Sequence, residues 1–114
     1  LFAVETDIER LFGLAAAWPA EGIWCEIVNP RGPRIINCAQ RLRDAGYSEV
    51  AQAFDAIRSK TGRSDYALQL TRNVQKVCRH LGIIERLHVL TYRSSISDAV
   101  QRQIGQDPEG VVWL

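Results

Sequence analysis

Residues 67–81 carry the apolar pattern that most narrows the folds open to this chain. Apolar residues recur there at intervals of three and four. Because successive helix residues are about 100° apart, these side chains fall within one sector that is itself about 100° wide. They are Ala67, Leu70, Val74, Val77, Cys78 and Leu81. This pattern predicts an amphipathic helix with Ser64 as its N-cap and Gly82 as its C-terminal cap. The opposite side of the helix carries the basic face, which we define as Arg72, Lys76, Arg79 and His80.

The two ends of the chain are each predicted to contain a further helix. In residues 4–18 an apolar stripe recurs at three- and four-residue intervals, and Pro19 is the expected stop. The stripe consists of Val4, Ile8, Leu11, Ala15 and Trp18. Near the other end, Ser94 or Ser95 is the predicted cap of a short helix.

Two more helices with a short connection are predicted between residues 33 and 62. Pro33 suits the first turn of one helix, because proline lacks the N–H that the first turn leaves unpaired. Gly46 suits the C-terminal cap of the same helix. Ser48 is the predicted N-cap of the next helix, which is expected to end near Gly62. The predicted inner faces are Ile35, Cys38, Ala39 and Leu42 in the first helix, and Val50, Ala53, Phe54 and Ile57 in the second.

Three short segments favour strands. Residues 23–28 are rich in β-branched and aromatic residues, and residues 87–92 alternate with a period of two, with apolar or aromatic residues on both faces. The second pattern suggests a strand covered on both sides, and residues 111–114 are the third candidate. Five helices and about three short strands predict an α+β fold. An all-helical bundle is the alternative if the first two segments are helical.

Length and composition indicate one compact domain over residues 1–114, since the chain is long enough for one hydrophobic core and too short for two. It contains no apolar run of about 18–20 residues, so we expect no membrane insertion. The acidic N-terminal segment does not resemble a secretory signal, and we expect a cytoplasmic protein.

The sequence matches none of the common motifs for bound cofactors, metals or hydrolytic nucleophiles. It has no GxxxxGK, GxGxxG, HExxH or GxSxG pattern, so we expect no cofactor and no metal site. Three cysteines at wide spacings argue against a disulfide framework, and Cys38 and Cys78 are predicted to be small core residues. Arginine and histidine on one helix face are residue types used in acid–base cleavage of RNA, but an exposed structural His80 is the simpler interpretation.

Charge is distributed unevenly along a chain whose formal net charge is only +1. Residues 1–30 contain one arginine and five acidic residues, whereas residues 58–93 contain eight basic and two acidic residues. The basic face could therefore bind nucleic acid or an acidic partner, if neighbouring arginines extend it into one patch. A solvated surface without a charged partner is the alternative interpretation.

The aromatic residues give a second candidate site. Trp18 and Trp24 flank a turn and are predicted to line a pocket or interface with Phe12, while Trp113 lies in the terminal strand candidate, where exposure would indicate a dimer or partner contact. Packing of the tryptophans in the core is the other interpretation.

These observations predict a small non-catalytic binding protein of the adaptor, inhibitor or immunity type, acting through a protein partner or a homodimer. A nucleic-acid-binding module that uses the basic face is the first alternative. A small-molecule-binding protein or enzyme with an aromatic-lined pocket is the second, because binding pockets are mainly apolar and leave little trace in a sequence.

Overall fold

The computed structural model describes residues 5–28 and 33–114, and in these ranges it contains five helices and three strands. The helices are α1 (Glu5–Ala16), α2 (Pro33–Asp44), α3 (Ser48–Ala56), α4 (Lys60–His80) and α5 (Asp98–Gly105). The strands are β1 (Ile23–Glu26), β2 (Leu87–Thr91) and β3 (Val111–Trp113). The predicted α+β fold is therefore confirmed, and the all-helical alternative is wrong. Two short 3₁₀ turns, Ile84–Arg86 and Arg93–Ser95, flank β2.

The three strands form one parallel sheet in the order β1-β2-β3. Leu87, Val89 and Thr91 of β2 are buried and point to the side on which α4 packs. His88 and Leu90 alternate with them and are half-buried. The prediction that β2 is covered on both sides is therefore right for one face only, because the other face remains partly accessible to solvent.

Helix α4 is the central element of the core, since it contacts α1, α5 and β2. The predicted apolar stripe is buried from Ala67 to Cys78, and Leu81, just past the end of the helix, is half-buried. Burial follows the 3.6-residue period because each turn must bring an apolar side chain to the same neighbours. The helix predicted most strongly by the sequence is therefore the one that organises the domain.

The start of α4 differs from the prediction. Ser59, not Ser64, is the N-cap, and its side chain accepts a hydrogen bond of 3.0 Å from Gly62 N. Gly62 also permits close packing of the turn, because an added Cβ would lie 1.9 Å from Ala56 O. Ser64 instead lies buried within the helix, where its hydroxyl donates to Lys60 O and accepts from Ser97 N.

Other predicted caps are partly wrong. Tyr47, not Ser48, precedes α3 and makes no capping bond, and Ser97 caps α5 where Ser94 or Ser95 was predicted. Gly46 and Gly82 follow α2 and α4 with φ of 87° and 69°, as expected for helix C-terminal caps. Serine caps are ambiguous in sequence because several serines often precede one helix.

The inner faces of α2 and α3 also differ from the prediction. Cys38 is exposed, because α2 is buried through Ile35 and Ala39, one turn apart on a neighbouring side. In α3 the buried residue is Ala51, and the predicted inner residues of that helix are only half-buried. Ile57, just past its end, is buried as predicted, and so is Cys78 in α4. The two helices pack mainly against each other, so a narrow contact is enough to bury one side of each.

Among the helices of residues 5–28 and 33–114, none combines the length and the apolar character needed to cross a bilayer.

Candidate interaction surface

The basic face is largely occupied by contacts within the chain. Arg79 Nη2 donates to Asp107 Oδ1 at 2.7 Å and to Glu109 Oε2 at 2.9 Å, in the segment that joins α5 to β3. These hydrogen bonds raise the pKa of Arg79 and lower that of Asp107. The sequence analysis predicted that this positive charge could bind a phosphate or an acidic partner. Much of it is instead balanced by two carboxylates of the same chain.

Arg72 and Gln75 fix the same segment through its backbone. Arg72 donates to Gln75 Oε1 at 2.9 Å, to Asp107 O at 2.8 Å and to Gln103 O. Gln75 is fully buried and its amide donates to Asp107 O at 2.9 Å and Glu109 O at 2.8 Å. Carbonyls that a turn leaves unpaired are therefore satisfied by α4, so these polar side chains have a structural role.

Lys76 and His80 form an exposed part of the basic face next to α1. They line a shallow concave surface with Val77 and with Glu9 of α1. A carboxylate therefore borders these two basic residues, so the surface is of mixed charge and small. The structure brings Lys76 and His80 together as predicted but places an acidic side chain beside them.

Other arginines of the basic segment bind backbone carbonyls. Arg63 Nε donates to Ser95 O at 3.1 Å. Arg86 donates to Ala15 O at 3.2 Å, Ala16 O at 3.5 Å and Trp18 O at 3.0 Å, and so caps the C-terminus of α1. A cation is favourable there because the last carbonyls of a helix carry partial negative charge. Contacts of this kind explain why an arginine-rich segment does not have to form a basic patch.

The predicted aromatic site is dispersed. Phe12 is buried in the core, whereas Trp18 is 72% exposed. Trp24, on the outer face of the sheet, is 64% exposed and stacks on His88 with 4.4 Å between ring centroids. Trp113 is half-buried in β3, and the guanidinium of Arg93 lies 4.5 Å from its ring centroid. The other interpretation, that the tryptophans pack in the core, is therefore wrong for Trp18 and Trp24.

An apolar feature of the surface lies on α1 and the turn that follows it, and we call its residues, Leu11, Leu14 and Trp18, the α1 stripe. Leu11 and Leu14 are 65% and 72% exposed, and together with Ala15 and Trp18 they line one almost wholly apolar concave surface. The sequence predicted Leu11 and Trp18 in the buried stripe and did not single out Leu14.

The reason is that α1 packs on α4 through Ile8 and Phe12, which are buried. Once those residues face the core, Leu11 and Leu14, which lie about 60–160° from them around the helix, point to solvent. The sequence signal for this second stripe was the recurrence of large apolar residues at positions 11, 14 and 18, in addition to the stripe that binds the core.

Three titratable side chains in the described interior have pKa values shifted away from the ionised form. Burial raises the pKa of Cys25, of Tyr66 and of Cys78, the last to about 11, so the thiolate form is disfavoured. Within the described parts of the chain, no three histidine, cysteine, aspartate or glutamate side chains form a group that could hold a metal ion.

Comparison of the chain with protein-family models, with curated proteins and with solved structures found no match.

Proposed function

We propose that this chain is a non-catalytic interaction module that binds a protein partner or a second copy of itself through the α1 stripe. The observation that supports the proposal is the exposure of two leucines of α1 and of a tryptophan two residues past its end, all at least 65% accessible. Full burial of each such side chain contributes roughly 1.5–3 kcal/mol of favourable free energy. Their joint exposure is therefore unfavourable unless a partner covers them. Tryptophan is also among the residues that contribute most to protein interfaces.

Nucleic-acid binding through the basic face has less support. Two of its members, Arg72 and Arg79, are bonded to the segment that joins α5 to β3, and Glu9 borders the other two. A surface that neutralises phosphates needs cations whose charge is not already balanced. This supports the protein-binding proposal over the nucleic-acid alternative.

Site-specific photocrosslinking in the cells that naturally make the protein tests the proposal. A benzophenone amino acid replaces Leu14 in one variant and Gln69, an exposed polar residue of α4, in a matched control. The proposal predicts a discrete protein adduct from position 14 and none of that mass from position 69. Equal labelling at both positions, or no adduct at either, would contradict it.

The mass of the adduct also separates two kinds of partner. An adduct of twice the chain mass that contains only peptides of this chain indicates self-association. An adduct with peptides of another protein indicates a heterologous partner. That partner, once purified, should bind the unmodified chain and bind the Leu14→Glu variant more weakly.

A further inference from the structure

We infer that the α1 stripe binds a second copy of the chain, with the two α1 helices antiparallel about a two-fold axis. This inference rests on the proposed function and adds the identity and geometry of the partner. It is carried by the symmetry of the residues that line the surface, their charges, and the area they expose.

The spacing of the surface residues is the same when read in either direction. Asp7, Leu11, Leu14 and Trp18 follow one another at intervals of four, three and four. Leu11 and Leu14 line two adjoining concave surfaces, one with Asp7 and the other with Trp18. Trp18 lies just past the end of α1, where its N–H donates to Ala15 O at 3.2 Å. An isologous contact requires that each residue meet its counterpart at an equal distance from the centre. This spacing meets that condition for antiparallel helices.

The chemistry at the two ends of the surface is complementary. In such a pair Leu11 meets Leu14 of the other copy, and Asp7 meets Trp18. The indole N–H is a donor without acceptor capacity and the carboxylate is an acceptor, so each end can form a charge-assisted hydrogen bond. A stripe that paired in parallel would instead bring Asp7 against its own copy, which is unfavourable for two like charges.

The remaining charged neighbour also fits this arrangement. Arg10 borders the surface beside Asp7 and Leu11. On helical spacing it lies on the same flank of the antiparallel pair as the exposed Ala17 of the other copy. A small side chain there leaves space for the long arginine stem, whose methylene groups can cover apolar surface while its charge stays solvated.

The exposed area is sufficient for a weak, reversible dimer. The three side chains of the α1 stripe expose on the order of 400 Å² in each copy, so their burial in a pair removes on the order of 800 Å² from water. Specific, stable interfaces begin at roughly 1,000–1,200 Å², and weak, transient contacts lie below that range. We therefore expect a dimer whose population depends on concentration.

Charge substitutions at the two leucines test both the partner and the geometry. Sedimentation velocity and native mass spectrometry over a wide concentration range should show a dimer of the unmodified chain. Leu11→Glu and Leu14→Lys should each weaken association by roughly 100-fold or more, because each buries unpaired charges. An equimolar mixture should recover a heterodimer, since the introduced carboxylate at position 11 of one chain then faces the introduced ammonium at position 14 of the other. The two unmodified leucines face each other in that heterodimer.

Controls keep this test decisive. Gln69→Glu adds an exposed charge elsewhere and should leave the dimer unchanged, and circular dichroism with urea unfolding should show that all variants keep the native fold. Trp18→Phe retains an aromatic ring but removes the donor, and should weaken the dimer by about tenfold.

Three results would overturn the inference: an unmodified chain that stays monomeric, variants that still dimerise, or a mixture that does not recover the heterodimer. A monomeric chain whose position 14 crosslinks to another protein would refute self-pairing and leave the proposed function intact. A monomeric chain with no crosslink would refute both.

Discussion

Gln75 is the residue whose replacement should most clearly separate buried from exposed polar contacts in this fold. Its side chain is fully buried, and its amide nitrogen donates one hydrogen bond to Asp107 O and another to Glu109 O. Its carbonyl oxygen accepts from Arg72. Leucine is similar in volume but offers neither donor nor acceptor. The Gln75→Leu variant therefore removes three hydrogen bonds without creating a large cavity.

The size of the effect follows from what is left unpaired. Each net hydrogen bond contributes about 1 kcal/mol, and a buried carbonyl without a partner costs about 1–3 kcal/mol. Asp107 O still accepts from Arg72, so the main loss is at Glu109 O. We expect the free energy of unfolding to fall by about 2–4 kcal/mol. Gly110 O accepts from Val89 N in β2, so the β3 end of the sheet should loosen as well.

Urea denaturation with linear extrapolation measures the free energy of unfolding, and amide hydrogen exchange reports opening of residues 106–113. Gln69→Leu is the matched control, because Gln69 is exposed on the same helix and should change stability by less than about 0.5 kcal/mol. Arg79→Ala, which removes exposed ion pairs, should cost no more than about 1 kcal/mol. A Gln75→Leu effect below that of Arg79→Ala would refute the reasoning.

Three further outcomes are expected. Arg86→Ala should lower the free energy of unfolding by about 1–2 kcal/mol and speed amide exchange at the end of α1, because several α1 carbonyls lose their donor; unchanged exchange there would argue against this cap. The hydrogen bond from Arg79 lowers the pKa of Asp107, so its stabilisation is present above the unfolded carboxyl pKa of about 3.9 and is lost as pH falls through the lower folded value. Arg79→Gln should therefore make urea midpoints less dependent on pH below about pH 4, and an unchanged pH profile would show that this pair is not formed in solution. Iodoacetamide should modify Cys38 first and Cys78 last in the native protein, because Cys38 is exposed and burial raises the pKa of Cys78 to about 11. Peptide mass spectrometry measures this order, and rapid labelling of Cys78 would contradict the described core.

The elements with strong local patterns were predictable from the sequence. The long apolar stripe of α4 and the alternation in β2 each reflect burial of one face, and burial of one face imposes a period on the sequence. Cap residues were less predictable, because Ser59 and Ser64 both precede apolar residues of α4 and only packing selects between them.

The candidate site was harder to predict from the sequence, because it depends on contacts between residues that are far apart in the chain. Arg79 looked like part of an open basic face, but its partners Asp107 and Glu109 lie 28 and 30 residues further on. On α1 the residues Leu11 and Phe12 are both apolar neighbours of Ile8, and only the position of α4 decides which of them is buried. Sequence periodicity identifies an amphipathic helix more reliably than it identifies which of two apolar sides faces the core.

Hydroxyl-radical footprinting of Trp18 tests the central claim most directly. Oxidation of Trp18 is compared between dilute purified protein and a fresh extract of the cells that naturally make it, with the similarly exposed Trp24 as an internal reference for radical dose. If the α1 stripe is a protein-binding surface, oxidation of Trp18 relative to Trp24 should fall several-fold in the extract. An unchanged ratio would mean that the α1 stripe remains open to solvent, and would contradict the proposed function.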